Sequence, residues 1–410
     1  MPDSVKPPDA KGVQEVVQWV LAEEKTLEIA GGGSKRAIGR PTQVDLTLEL
    51  SALSGVTLYE PEELVLSARA GTPLAQIEAL VASKNQQLAF EPMHCGKILG
   101  GSDAHATIGG ALASNLSGPR RVTAGAARDH FLGFSAISGR SEMFKSGGRV
   151  VKNVTGYDLC KLMAGSWGTL AVMTDVTLKT LPKPEVEATV LVRGLQPQTA
   201  IRVMASAMNS GCDVSGAAHV PQDIVRSVPV ADVSDAGASI TALRVEGFAP
   251  SVAHRRVMLE QLASPFGELS LLSTETSPSF WRAVRDVTPF AAEPTATERP
   301  LWRISVAASR GAELAGRIGA AAQTQMLFDW AGGLVWVAFA PCEDAGAGIV
   351  ASAVAAMGGH ATLVRAPAAI RAKVDVFWRG EPALAALTSR VKGSFDPKGV
   401  LNPGRMWAGV

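Results

Sequence analysis

The sequence predicts an α+β fold in two domains, and three observations predict it. Short strand-like runs alternate with amphipathic helices, and a proline-rich break, LPKPE at 181–185, divides the chain. No Gly-x-Gly-x-x-Gly follows a strand, as a parallel doubly wound dinucleotide fold would require. At 410 residues the chain exceeds one ordinary core. We expect a first domain over residues 1–185, a second over 186–366, and a segment, 367–410, that returns to pack on the first.

Each element has a local reason. Residues 12–25 place Val13, Val16, Val17, Val20 and Leu21 on one helical face. Strand LEIA follows, then strands over Leu46–Leu50 and Leu64–Ala70. Thr72 reads as a helix cap, with Pro73 at the first helical position. The runs HFLGFSAI and EMFKSGGRVV suggest a hairpin with Gly147 and Gly148 near its turn, and AVMTDVTLKTL a further strand. Beyond the linker, ATVLVRG, a helix over 197–209 and VSGAAHV form one β-α-β unit, and SITALRVEG, a helix over 250–263 and ELSLLST another. A third set runs through LWRISVAA, a helix over 311–322, QMLFDW, GLVWVAFA, a helix over 345–357 and ATLVRAP. Units of this kind predict an antiparallel sheet covered on one face by helices.

Chemistry concentrates in three clusters of small residues: AGGGSKRAIG from Ala30, TIGGALASNLSGPRRVTAGAARD from Thr107, and GSWGTLAVMTDVTL from Gly165. Glycine leaves the backbone uncovered, so N–H groups can reach a phosphate or a flat ring, while Lys35, Arg120, Arg121 and Arg128 add positive charge. A lone Gly-Gly-Ala-Leu-Ala would equally suit a small-residue helix packed in a core. Three clusters in one half of the chain favour a cradle for a phosphorylated ligand.

In this order the clusters resemble the FAD-binding domain shared by vanillyl-alcohol oxidase and the D-lactate dehydrogenases, the PCMH-type fold. SGPRR at Ser117, VVKNVTGYDL at Val150 and FDPKGVLNPGRM at Phe395 resemble more closely the FAD-binding E subunits of bacterial glycolate oxidase. The resemblance is strong over the first half and the final residues and weak between about 190 and 360. It implies a two-subdomain FAD-binding domain followed by an antiparallel-sheet cap. FAD would be held non-covalently by Gly31, Gly32, Gly33, Ser34 and Lys35, by Pro92, and by Thr107, Ile108, Gly109, Gly110, Ser114, Asn115, Gly118, Arg121 and Gly125. Gly168 and Met173 of the third cluster, and Asn402 and Pro403 of the tail with Arg405 beside them, would complete the set. His94 and His105 are the candidates for a covalent tether by proximity alone.

The implied activity is oxidation of glycolate to glyoxylate, with a second FAD-binding subunit and an iron–sulfur subunit as partners. Oxidising a 2-hydroxy acid needs a base for the hydroxyl proton and a cation for the carboxylate. Arg282, Arg285, Arg303, His360 and Arg365 are the cap's candidates. The histidine-rich H-x-G-D-G-N segment of the family's catalytic D subunit has no counterpart here. That leaves open an autonomous D-2-hydroxy-acid dehydrogenase and a flavin-loaded relay without turnover, and favours the relay.

Composition bounds the rest. Charged residues make up 19% and the net charge is +1, so no sequence-wide field favours nucleic acid. Cys95, Cys160, Cys212 and Cys342 are too dispersed for a metal or iron–sulfur motif and read as buried reduced thiols. The polar N-terminus and the absence of an apolar run of about 20 residues predict a soluble, cytoplasmic protein, peripheral to the inner membrane only through partners.

Overall fold

The computed structural model describes residues 3–149, 156–291 and 299–409. The first six residues of the VVKNVTGYDL motif, 150–155, lie outside them.

Three of the four sheets among the described residues organise the fold; the fourth is a short pairing of Gln86–Gln87 with Leu181–Pro182. In the first, β1 (Asp3–Val5), β2 (Leu27–Ala30) and β3 (Leu46–Glu49) run parallel in the order β1-β3-β2. Helix α1 (Ala10–Ala22) buries Val13, Val17 and Val20 against it. The helix starts earlier than its apolar stripe because the Asp9 carboxylate accepts the Gly12 N–H at 2.8 Å, a cap of about 1 kcal/mol.

The second sheet is antiparallel. It orders β4 (Val56–Glu60), β5 (Val65–Arg69), β6 (Phe131–Ser138), β7 (Met143–Gly147) and β8 (Ala171–Lys179) as β4-β5-β8-β6-β7. Two local expectations change here. Thr72 does not cap α2 (Leu74–Ala82): its hydroxyl donates to the Arg69 carbonyl at 2.6 Å and accepts the Gly55 N–H, leaving Pro73 at the cap. The hairpin of β6 and β7 turns at residues 139–142, not at Gly147 and Gly148; Gly147 ends β7 with a φ of 73°. A Cβ there would stand 2.1 Å from the Leu132 carbonyl oxygen.

The third sheet is the antiparallel cap. Its strands are β9 (Val186–Arg193), β10 (Val214–Val220), β11 (Ile240–Gly247), β12 (Leu269–Leu272), β13 (Leu301–Ser305), β14 (Thr324–Asp329), β15 (Leu334–Phe339) and β16 (His360–Arg365). The order is β12-β9-β11-β10-β14-β15-β13-β16. Helices over Pro197–Met208, Ala249–Ala263, Gly311–Ala321 and Ala347–Met357 cover its outer face. The α+β class and the antiparallel cap are as the sequence predicts. The helix over Ser277–Arg285 is an addition to it, and Cys342 is exposed while the other three thiols are buried.

The tail returns to the first sheet. Leu27 donates its N–H to the Val400 carbonyl at 2.8 Å, and Asn402 donates to the Leu27 carbonyl at 2.8 Å. The helix Pro382–Phe395 brings it there, pinned where buried Lys392 donates to the Asp396 carboxylate at 2.6 Å and to the Leu401 carbonyl at 2.9 Å. Among the described residues no helix is long and apolar enough to cross a membrane.

Candidate functional site

The first glycine cluster leaves β2 as a run of turns. Arg36 returns its N–H to the Gly33 carbonyl and Ile38 to that of Lys35, both at 3.0 Å. The N–H groups of Gly32, Gly33, Ser34 and Lys35 have no acceptor among the described residues. Successive unpaired N–H groups on a turn form a concave donor set for an anion. Gly33 has a φ of 81° and open space where a Cβ would stand, so the left-handed turn costs it nothing. Gly32 is small for a different reason: its Cβ would lie 1.8 Å from the His105 carbonyl oxygen.

The second cluster spends its donors internally. Thr107 caps the helix Ile108–Ser114 by accepting the Gly110 N–H at 3.2 Å, and Gly109 donates to the Ala70 carbonyl at 2.8 Å. A Cβ on Gly109 would meet that same carbonyl oxygen at 2.8 Å. Gly109 thus lets two loops pack closely, while the first cluster keeps a run of successive free donors.

Together the clusters line one cleft. Of the residues expected to hold FAD, Gly31 to Lys35, Thr107, Gly109, Gly110, Gly168 and Met173 line it. Pro92, Ile108, Ser114, Asn115, Gly118, Arg121, Gly125, Asn402 and Pro403 are not on its wall. Asn402 acts from behind: its amide accepts the Ile29 N–H at 2.9 Å and donates to the Trp167 carbonyl at 2.8 Å, joining two walls. Arg405 does line the cleft, donating to the Lys35 and Ile38 carbonyls at 3.2 Å and leaving its buried Nε without a partner. Glu28 and Trp167 also line it and went unnoticed as ligand-wall residues, although Trp167 sits in the quoted GSWG segment.

Two charged islands occupy the cap's inner face. Cross-strand register sets Glu187 opposite Glu246 and Thr189 opposite Arg244. The same face continues through Leu327 and Asp329 on β14, Trp336 and Leu334 on β15, Arg303 and Ser305 on β13, and Thr362 and His360 on β16. At the β9–β11 end the charges are paired. Arg120 contacts Glu91 at 2.9 Å and Glu246 at 2.7 Å, and Arg244 contacts Glu91 at 3.0 Å. Burial pushes the Glu246 carboxyl up, but Arg244 and Arg120 outweigh it and hold it at about 2. Glu187, which accepts the Ser277 hydroxyl, is raised by burial.

At the β13–β16 end the charges are unpaired. Arg303 is 6% exposed, yet its Nη2 has no hydrogen-bond partner among the described residues. Burial, then the neighbouring Arg121, lowers its pKa to about 10. Neither arginine has an ion pair among the described residues. Asp329 accepts the Trp330 N–H at 2.7 Å, and burial pushes its carboxyl up to about 7. Desolvation, then Arg303 and Arg121, pulls the His360 imidazole below its ordinary value.

The structure therefore joins two of the five residues expected to act on substrate, Arg303 and His360, and adds Arg121 to them. Arg365 is buried elsewhere on β16, donating to the Arg299, Ile98 and Phe290 carbonyls at 2.8–2.9 Å. Arg285 forks onto Asp286 at 2.8 Å, and Arg282 donates to the Ser279 hydroxyl at 2.8 Å in a second cleft. Asp329 and Trp330 were missed; the only signal was the short DWAGG break between two apolar strands.

The family described as FAD binding domain matches residues 4–147. The glycolate oxidase subunit GlcE of Escherichia coli is 32% identical over 408 residues, covering 97% of this chain and 97% of that protein. The glycolate oxidase subunit GlcD of Bacillus subtilis is 28% identical over 193 residues, 47% of this chain and 39% of that one. Among solved structures, p-cresol methylhydroxylase superposes with a TM-score of 0.71 at 12% identity, over 98% of this chain and 88% of that one.

Proposed function

Because the chain belongs to the family of the glycolate oxidase subunit GlcE, an FAD-binding oxidoreductase family, we propose that it is the FAD-carrying subunit of a glycolate-oxidising complex. The observation that supports this most is the set of free N–H groups from Gly32 to Lys35 on the wall of that cleft. Such donors suit the pyrophosphate, with the buried Lys35 as a point charge and Arg405 closing the wall. Bound FAD would supply the acceptor for the two electrons and the α-hydrogen of a 2-hydroxy acid.

The chain's own residues divide the remaining work. Arg303 and Arg121 hold the substrate carboxylate, and His360 takes the hydroxyl proton, its lowered pKa keeping the ring neutral and receptive near pH 7. FAD is retained without a covalent bond. Neither His94 nor His105 lines the cleft: the His94 ring lies 3.5 Å from Glu78, and His105 presents its carbonyl to Gly32. Electrons leave through a second, GlcD-like flavoprotein and an iron–sulfur subunit.

The unpaired Arg121–Arg303 island favours a working substrate site in this chain over the relay without turnover. Co-expression with its partner subunits should give dye-linked glycolate oxidation, while the chain alone should turn over at least tenfold more slowly. Equal rates would overturn the dependence on the complex. Acid precipitation should release yellow FAD into the supernatant, and colour kept in the pellet would overturn the non-covalent reading.

A further inference from the structure

Trp330 packs against both unpaired cations. The Arg121 guanidinium carbon lies 4.3 Å from the centre of its ring and that of Arg303 4.9 Å. Its indole N–H donates to the Gly118 carbonyl at 3.0 Å, which ties this cap residue to the second glycine cluster. The ring is 8% exposed, so it fills the space it occupies.

Its backbone fixes the ring in place. Trp330, Ala331 and Gly332 are left-handed in succession, with φ of 52°, 55° and 98°. The Asp329 carboxylate holds the Trp330 N–H, and a Cβ at Gly332 would meet the Ala308 carbonyl oxygen at 2.8 Å. An indole tied at both ends is a wall whose position does not yield easily to a larger ligand.

A buried guanidinium with an unused donor, beside a second cation, favours an anion that completes it. Asp329, a buried carboxyl that acts on Arg303 electrostatically, is engaged by the backbone of its own turn. We infer that Trp330 sets the size of the acid this island accepts: a two-carbon monocarboxylate fits against Arg121 and Arg303, while the indole occupies the volume that a longer side chain at the α-carbon would need. The inference rests on the reading of the chain as a flavoprotein with its own substrate site. It makes Trp330 a specificity-determining residue, with no part in the chemistry itself.

The test is calorimetric titration of the FAD-loaded chain, kept anaerobic, with sodium glycolate, D-lactate and D-2-hydroxybutyrate, for wild type, Trp330→Ala, Trp330→Phe and Arg303→Gln. Wild type should bind glycolate at least tenfold more tightly than D-2-hydroxybutyrate. Trp330→Ala should close or invert that ratio, and Trp330→Phe should fall between. Arg303→Gln should weaken all three acids at least tenfold with FAD content unchanged. An unchanged ratio in both Trp330 variants overturns the inference, as does a wild-type chain that binds none of the acids. If Trp330→Ala does not fold, the ratio in Trp330→Phe decides. Glycolate oxidation by the assembled complex is scored separately: its absence would overturn the proposed function, while a size-selective titration would still uphold the role of Trp330.

Discussion

Arg120 and Arg121 are neighbours in sequence and opposites in structure. Arg120 turns to the β9–β11 end of the cap sheet, where two acids neutralise it; Arg121 turns to the β13–β16 end, where it packs on an indole beside another arginine and feels Asp129 without an ion pair among the described residues. Each end also carries an arginine stacked on a tryptophan, Arg244 over Trp281 at 4.6 Å and Arg303 over Trp330. The two ends differ in whether the protein supplies the counter-charge. A network closed by its own acids locks the cap to the first part of the chain. The one left open is where we propose that an acid binds.

The largest test of this contrast is to open the closed end. Glu91 serves both Arg120 and Arg244, so Glu91→Ala should destabilise the chain by about 3–5 kcal/mol in urea melts, as when one partner of a buried pair is removed. At the open end the sign should reverse. Arg303→Met removes an uncompensated buried charge and should leave the acid-free chain as stable as wild type or more stable, by roughly 1–2 kcal/mol, while losing acid binding.

Acid and base should also separate the two ends. Glu246 is held at about 2 in the folded chain against roughly 4.3 unfolded, so its stabilisation is present above that unfolded value and is lost as pH falls toward 2. Asp329 is the reverse: raised to about 7 from roughly 3.9, it makes stability decline as pH rises from about 4 to 7. Asp329→Asn should flatten that decline, read as the urea midpoint across the range. The smallest effect belongs to the paired tryptophan. Trp281→Phe loses a hydrogen bond to the Thr189 hydroxyl and part of the stacking, roughly 1–2 kcal/mol, and should leave the ranking of acids unchanged.

The sequence showed where small residues gather but not which of them keep free donors. Gly109 and Gly33 look alike in one dimension; only the approach of Ala70 shows that the first is used for packing and the second faces open space. The covering helices over Pro197–Met208 and Gly311–Ala321 were legible because their apolar periods are strong. Thr72 misled because a hydroxyl before a proline fits a cap and a turn equally well, and Gly55 decided between them. Among five cap residues of suitable chemistry, register alone brings Arg303 and His360 to one face and assigns Arg365 to backbone carbonyls. Trp330 was invisible because its role depends on a cation contributed from more than 200 positions earlier, as its own bond to Gly118 is, at a separation of 212.

The Asn402 side chain bridges Ile29 and Trp167, and its bond to Ile29 spans 373 positions. During synthesis the glycine loop after β2 therefore emerges from the ribosome long before the amide that fixes its wall. The wall of the cleft is complete only once the 396–405 segment is in place. A chain cut before that segment would keep every glycine of the loop but lose the amide that joins its two walls, and should hold FAD more weakly than the longer chain, read as flavin absorbance after gel filtration.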